Sequence, residues 1–274
     1  MRGKKVYGEC KLCGKQCELT FEHVPPKSAF NKHPVKLIEA ENFFNLMTSR
    51  ERLPWETDGI QYRSQQQGLG GYYLCQSCNN NTGTWYVDDY VQFAQTIVSC
   101  IQTQSDTSFT GLQIKLANFR PLPFFKAVMT MFCDINEACF GDDQLRNYLL
   151  TKETTQFDCA KYRVFMFISD GKLQRMSPLS CLVTRDADIV SISEIAAFPL
   201  GFALYIDCPE TYKPQGVEIT YFGGYEYNQA DVLDIAIPKL SCNTHFPGDY
   251  RDADVIESII RNNAYRLNTA SHKM

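Results

Sequence analysis

Two pairs of cysteines are the residues of this chain whose type and spacing most directly predict chemistry. Cys10 and Cys13 form one C-x2-C pair, and Cys75 and Cys78 form a second. Each pair places two thiolates on one tight turn, and two such pairs complete a tetrahedral site for Zn²⁺. Because four thiolates leave no open position for a substrate, we expect this zinc to be structural. The long stretch between the pairs is no obstacle, since the cost of loop closure grows only logarithmically with length.

The other cysteines are expected to be free thiols. The chain is long and lacks the apolar segment of a secretory signal, which argues against a disulfide framework. Cys17 lies close to the first pair, and two roles stay open for it: a buried position, or an alternative ligand paired with Cys13. The remaining cysteines lie in apolar stretches and are expected to be core thiols: Cys100, Cys133, Cys139, Cys159, Cys181, Cys208 and Cys242.

Polar residues near the two pairs form a recognisable order. Glu22-His23-Val24-x-Pro follows the first pair, and Asn79, with a glycine four residues later, directly follows the second. C-x2-C, E-H-V-x-P and C-x2-C-N-x-x-x-G in this order resemble the zinc-containing branch of the HNH (ββα-metal) endonucleases. The resemblance covers residues 10–83, under a third of the chain. It implies a nuclease module of that fold.

The resemblance implies a role for each polar residue. His23 would be the general base, since a neutral imidazole suits proton abstraction from water at neutral pH. Glu22 and Asn79 would hold a catalytic Mg²⁺ or Mn²⁺, which prefers oxygen ligands and neutralises the leaving 3′-oxygen. Lys27 and Lys32 would contact flanking phosphates. The implied reaction is hydrolysis of phosphodiester bonds in DNA, with RNA left open, in a setting of bacterial defence or mobile elements.

The chain also departs from the family pattern. Family members commonly carry an asparagine a few residues before the last cysteine pair, where it orients the catalytic histidine. Residues 70–74, Gly-Gly-Tyr-Tyr-Leu, contain none. Asn79 stands where a histidine is frequent, and Thr82 lies near a frequent lysine position. A second hypothesis therefore stands beside the nuclease: a catalytically inactive zinc-binding module that binds nucleic acid or a protein partner.

The apolar pattern predicts an α+β fold around these motifs. Residues 1–83 are expected to form the zinc-stapled module, with residues 59–71 as a polar, glycine-rich loop. Residues 84–274 are expected to form an α+β domain. Its apolar spacing predicts a helix over 84–102, a second from Pro123 to about Ala138, and a C-terminal helix. The side chains expected to face inward on the C-terminal helix are Val255, Ile256, Ile259 and Ile260.

Short β-branched and aromatic runs between residues 160 and 240 predict a mostly antiparallel sheet. The role of this C-terminal domain is open, and a homodimer contact or a regulatory protein partner are the interpretations we retain. A C-terminal active site around His245, Asp249, Asp252 and Asp254 is a third hypothesis, although these carboxylates are also typical of a helix N-terminus.

Charge is unevenly distributed along the chain. The net charge is −4. Residues 1–36 carry eight basic and three acidic residues, which is +5 and leaves −9 for the rest. Phosphate binding requires a positive surface only locally, so the acidic total does not exclude DNA as a partner. No apolar run reaches the length of a membrane span, and we expect a soluble, cytoplasmic protein with no membrane contact.

Overall fold

Three β-sheets and five α-helices make up the regular structure of the part of the chain described by the computed structural model, residues 5–46, 52–104, 108–184 and 187–271. The helices are α1 (Ala40–Leu46), α2 (Gln76–Thr103), α3 (Pro121–Ile135), α4 (Asp143–Leu150) and α5 (Ala253–Ser271). The strands are β1 (Val6–Glu9), β2 (Gln16–His23), β3 (Val35–Leu37), β4 (Arg63–Gln65), β5 (Gly70–Cys75), β6 (Gly111–Phe119), β7 (Tyr162–Asp170), β8 (Arg175–Val183), β9 (Ile189–Ala197), β10 (Leu200–Ile206), β11 (Val217–Glu218) and β12 (Asp231–Ser241). The predicted α+β class is confirmed.

A small antiparallel sheet positions both cysteine pairs. Its strand order is β1-β2-β5, with β2 in the centre. The first pair lies in the turn between β1 and β2, which is closed by a hydrogen bond from the Cys10 amide to the Lys15 carbonyl. The second pair spans the junction of β5 and α2, because Cys75 ends the strand and Cys78 lies in the first turn of the helix. The two pairs thus meet at one end of the sheet.

Helix α2 begins at Gln76, eight residues before the predicted start at Thr84. The periodicity missed these first turns because they are polar and contain a glycine, so no apolar stripe marks them. The Cys75 thiol caps the helix by accepting a hydrogen bond from the Cys78 amide. With 28 residues, α2 is about 42 Å long and crosses the predicted boundary between residues 83 and 84 without a break.

Helix α3 confirms the second predicted helix and lies in the centre of the fold. Nearly all of its side chains are buried, and it packs against α2 and the larger sheet. One continuous apolar cluster joins the two parts of the chain, from Leu12 and Leu74 of the small sheet to Phe124 and Phe132 of α3. A hydrogen bond from the Cys139 amide to the Lys11 carbonyl adds a direct link.

The larger sheet has the strand order β6-β12-β7-β10-β9-β8, and β11 pairs with β7. All pairings are antiparallel except β12 with β7, so the predicted mostly antiparallel sheet is confirmed. The run GVEITYFG yields only the two-residue strand β11 and a short 3₁₀ turn, Thr220–Gly224. Strand β6 was not predicted, although Leu112, Ile114 and Leu116 alternate with polar residues as in a half-buried strand.

Two predictions about burial are wrong in part. Cys133, Cys139 and Cys242 are buried, but Cys159 and Cys181 are exposed. Among α5 residues 253–262, whose burial the structure describes, Ile256 alone is fully buried, whereas Val255 is 47% and Ile259 is 40% exposed. The apolar spacing thus overstates the buried face of this part of α5. The predicted loop 59–71 also contains β4 and the start of β5.

None of the helices in the described part of the chain combines the length and the apolar character that crossing a bilayer requires. Although α2 is long enough, its polar and charged residues recur along its whole length.

Candidate functional site

The four cysteines of the two pairs converge on one point. The sulfur atoms of Cys10, Cys13, Cys75 and Cys78 all lie within 4.8 Å of one another. Tetrahedral zinc with four thiolates requires sulfur atoms about 3.8 Å apart, which this cluster can provide. Backbone amides already point at two of the sulfurs: the Cys75 amide lies 3.3 Å from the Cys10 sulfur, and the Cys78 amide lies 3.4 Å from the Cys75 sulfur. This group could hold a metal ion such as zinc.

Cys17 lies outside this four-sulfur group. Its thiol donates to the Lys15 carbonyl over 3.3 Å, and its side chain is only half-buried. Within the group, a hydrogen bond from the Cys78 thiol lowers the pKa of the Cys10 thiol. The thiolate form that a metal ligand needs is therefore favoured at Cys10 even before a metal binds.

Glu22 and His23 end the central strand of the small sheet. Because successive side chains of a strand alternate, Glu22 shares one face with Thr20, and His23 shares the other with Phe21. The Phe21 and His23 rings accordingly lie edge to face, with centroids 5.0 Å apart. Burial raises the pKa of the Glu22 carboxyl to about 7. Burial also lowers the pKa of the His23 imidazole, which favours the neutral ring.

The His23 imidazole is oriented by the backbone. Its Nε2 lies 3.0 Å from the carbonyl oxygen of Gln67. A carbonyl oxygen can only accept, so in the neutral ring Nε2 carries the proton and Nδ1 keeps a free lone pair. The ring therefore presents Nδ1 as its basic atom, as a general base requires.

Asn79 lies in the first turn of α2 and is tied to β2. Its Nδ2 donates to the Thr20 hydroxyl over 3.0 Å, and that hydroxyl donates to the Leu74 carbonyl over 2.9 Å. Because the amide nitrogen is used in this way, Oδ1 is the atom of Asn79 available to a cation. Asn79 thus contacts the strand face that also carries Glu22.

A small, partly enclosed cavity of about 20 Å³ begins at the end of β2 and continues between α2 and α3. Glu22 and His23 both line it. Thr82 is part of the cavity wall. Asn79 is not, and it lies about one helical turn before Thr82. The full lining is Glu22, His23, Pro26, Thr82, Tyr86, Val87, Ala127, Thr130, Met131 and Asp134. The structure therefore brings Glu22 and His23 to one cavity and holds Asn79 at its margin.

The sequence reasoning missed Asn31, a buried asparagine that fixes the backbone beside His23. Its Nδ2 donates to the Pro25 carbonyl over 2.6 Å and to the Leu69 carbonyl over 2.8 Å, and its Oδ1 accepts from the Leu69 amide over 2.7 Å. These bonds hold the loop that carries Gln67, the hydrogen-bond partner of His23. No sequence signal marks Asn31, because its partners are backbone atoms of distant segments.

Gly68 permits this arrangement. Its φ is +94°, and a Cβ at this position would overlap the main-chain and side-chain oxygens of Asn31. A residue without a side chain is therefore required where the loop passes Asn31.

We expect Asn31→Ala to lower the free energy of unfolding by roughly 3 kcal/mol, because it leaves the Pro25 carbonyl and the Leu69 amide without their partner, while the Leu69 carbonyl keeps only its bond from the Val24 amide. Loss of these bonds also frees the Gln67 carbonyl, so the orientation of His23 relaxes. Chemical denaturation with urea measures the first effect. Asn31→Asp is the matched variant: it keeps the acceptor for the Leu69 amide but turns an oxygen toward the Pro25 and Leu69 carbonyls, so it should also be destabilised. An Asn31→Ala protein as stable as the wild type would contradict this role.

Lys27 and Lys32 are both exposed, on the loop that follows β2. The charge of Lys27 contributes to the lowered pKa of His23, after the larger effect of burial, which places this lysine within electrostatic reach of the imidazole. Lys32 lies further along the same loop, next to Asn31.

The residues of the C-terminal hypothesis are engaged in structural contacts. His245 Nε2 lies 2.9 Å from the Pro54 carbonyl. Asp249 pairs with Arg251 and accepts from Thr244, and Asp252 accepts from Ser241. Asp254 lies in the first turn of α5, as expected for a helix N-terminus.

No protein-family model matches this chain, and no significant match is found among curated proteins or among solved structures.

Proposed function

We propose that this chain is a metal-dependent endonuclease of the HNH type that hydrolyses phosphodiester bonds in DNA. His23 acts as the general base, and Glu22 and Asn79 hold a divalent cation. Zn²⁺ bound by Cys10 and the other three cysteines of the cluster has a structural role.

The observation that carries this proposal is the joining of two segments far apart in sequence. The cysteine cluster connects the β1–β2 turn to the start of α2, and the hydrogen bond from Asn79 to Thr20 lies beside it. Glu22 and His23 lie at the end of the same strand and share a cavity. The Glu22 carboxyl and the Asn79 amide belong to one face of β2, and the His23 ring lies on the other face at the end of the same strand.

The residues would divide the reaction between them. Nδ1 of His23 accepts a proton from the attacking water, while the Gln67 carbonyl holds the ring by Nε2. The Glu22 carboxylate and Oδ1 of Asn79 are the oxygen ligands that Mg²⁺ or Mn²⁺ prefers. When bound, such a cation stabilises the negative charge on the leaving 3′-oxygen. Lys27 and Lys32 contact the flanking phosphates.

Nicking of supercoiled plasmid DNA tests the proposal directly. The zinc-loaded full chain is incubated with plasmid in buffer containing Mg²⁺, Mn²⁺ or no added divalent cation. We expect nicked and then linear DNA only with Mg²⁺ or Mn²⁺. A parallel reaction with RNA decides between the two substrates. If the chain binds nucleic acid in gel-shift assays but leaves both substrates intact, the nuclease proposal fails and the inactive binding module is supported.

A further inference from the structure

Asp134 is a buried acidic residue that none of the recognised motifs contains. It lies near the C-terminal end of α3, outside residues 10–83, and is only 1% exposed. Its Oδ1 has no hydrogen-bond partner among the described residues. A buried carboxylate oxygen without a partner is costly, and native structures rarely retain one without a bound water, ion or ligand.

Asp134 faces the cavity that Glu22 and His23 line. Burial, and then the charges of Glu22 and Cys10, raise the pKa of the Asp134 carboxyl. The carboxyl therefore lies in a region where negative charge already accumulates. Two carboxylates in one half-closed cavity repel each other unless one of them is protonated or a cation lies between them.

The buried cation of the same helix does not relieve this repulsion. Lys126 lies two turns before Asp134, but its Nζ donates to the carbonyls of Thr151 and Lys152, over 2.8 and 3.1 Å. Its charge also lies over the ring of Tyr148, 4.2 Å from the centroid. The only lysine of α3 is thus held by carbonyl groups at the end of α4.

We propose that Asp134 is a further ligand of the divalent cation, reaching from α3, outside residues 10–83, toward Glu22 of the proposed nuclease module. This inference rests on the proposed function, because it concerns the same cation. Two carboxylates would balance the charge of Mg²⁺ or Mn²⁺, and Asn79 would add a neutral oxygen from the opposite margin. The unpartnered Oδ1 of Asp134 would then coordinate the cation, and α3 would contribute directly to the site.

Binding of Mn²⁺ alone, without DNA, tests this assignment. Isothermal titration of the zinc-loaded full chain with MnCl₂ is compared for the wild type, Asp134→Asn, Asp134→Ala and Glu22→Gln. We expect both Asp134 variants and Glu22→Gln to weaken Mn²⁺ binding at least tenfold. Asp89→Asn is the matched control, since Asp89 is a similarly buried helical carboxylate that is already paired with Arg120. This control should bind Mn²⁺ as the wild type does.

The outcomes separate the two proposals. Zinc content and circular dichroism first establish that each variant is folded, and the two different Asp134 substitutions guard against a single misfolded variant. If folded Asp134 variants bind Mn²⁺ like the wild type while Glu22→Gln does not, the role of Asp134 is refuted and the proposed function stands. If the wild type binds no Mn²⁺, Glu22 and Asp134 form a proton-sharing pair, and both proposals fail.

Discussion

Replacing His23 by alanine is expected to lower the rate of Mg²⁺-dependent plasmid nicking by a factor of about 10²–10⁴, the usual contribution of a general base. The physical reason is the loss of Nδ1, the basic atom that the Gln67 carbonyl leaves free. The half-buried ring makes one hydrogen bond and one edge contact with Phe21, so its removal should leave zinc content and the melting temperature nearly unchanged. Nicking rates measured at saturating Mg²⁺ give the comparison.

The matched control for this variant is His33→Ala. His33 is an exposed histidine on the same polypeptide segment, ten residues after His23. The His33→Ala variant should nick plasmid DNA at the wild-type rate. If His23→Ala and His33→Ala are both fully active, another group takes the proton, and the assignment of the base is wrong even though the chain is a nuclease.

Replacing Cys78 by serine is expected to abolish zinc binding and to unfold the N-terminal part of the chain. A structural zinc site contributes on the order of 10 kcal/mol in small zinc domains, comparable to the whole stability of a typical domain. The serine hydroxyl is a poor zinc ligand, and the three remaining thiolates cannot close a tetrahedral site. Zinc released by the denatured protein, measured with a chromogenic chelator, should fall from about one ion per chain to about none.

Cys17→Ser tests whether Cys17, a cysteine close to the cluster, is a zinc ligand. Cys17 lies next to the cluster but outside the group of four sulfurs, so this variant should keep its zinc and its melting temperature. Loss of zinc in Cys17→Ser together with retention in Cys78→Ser would mean that Cys17 is a ligand and that the assigned set is wrong.

Local patterns were enough to predict much of the fold. The C-x2-C spacing identified the four cysteines that converge, because two cysteines on one turn are close whatever the rest of the chain does. The apolar period identified the later part of α2, most of α3 and most strands of the larger sheet. It failed at the polar first turns of α2, which no apolar stripe marks, and on α5, where the apolar Val255 and Ile259 are exposed; the alternating run of β6 was missed.

The surroundings of the site could not be predicted from local patterns. Asn31 acts on Pro25 and Leu69 through backbone atoms, and its type alone suggests only a turn. Asp134 lies in a mostly apolar helix, where a single aspartate is most simply taken as a solvent-facing residue. Only the packing of α3 against the small sheet places it beside Glu22. Such tertiary contacts depend on how distant segments pack together, and residue spacing within one segment does not predict them.

The continuity of α2 limits how this protein can be rearranged by recombination or engineering. A fragment that ends at residue 83 would keep all four cysteines but only eight residues of the helix, Gln76 to Gly83. An isolated helix of two turns is marginal in water, so such a fragment would lack the support that residues 84–103 provide. Residues 10–83 and the helix that follows them must therefore be inherited, exchanged or transplanted as one piece.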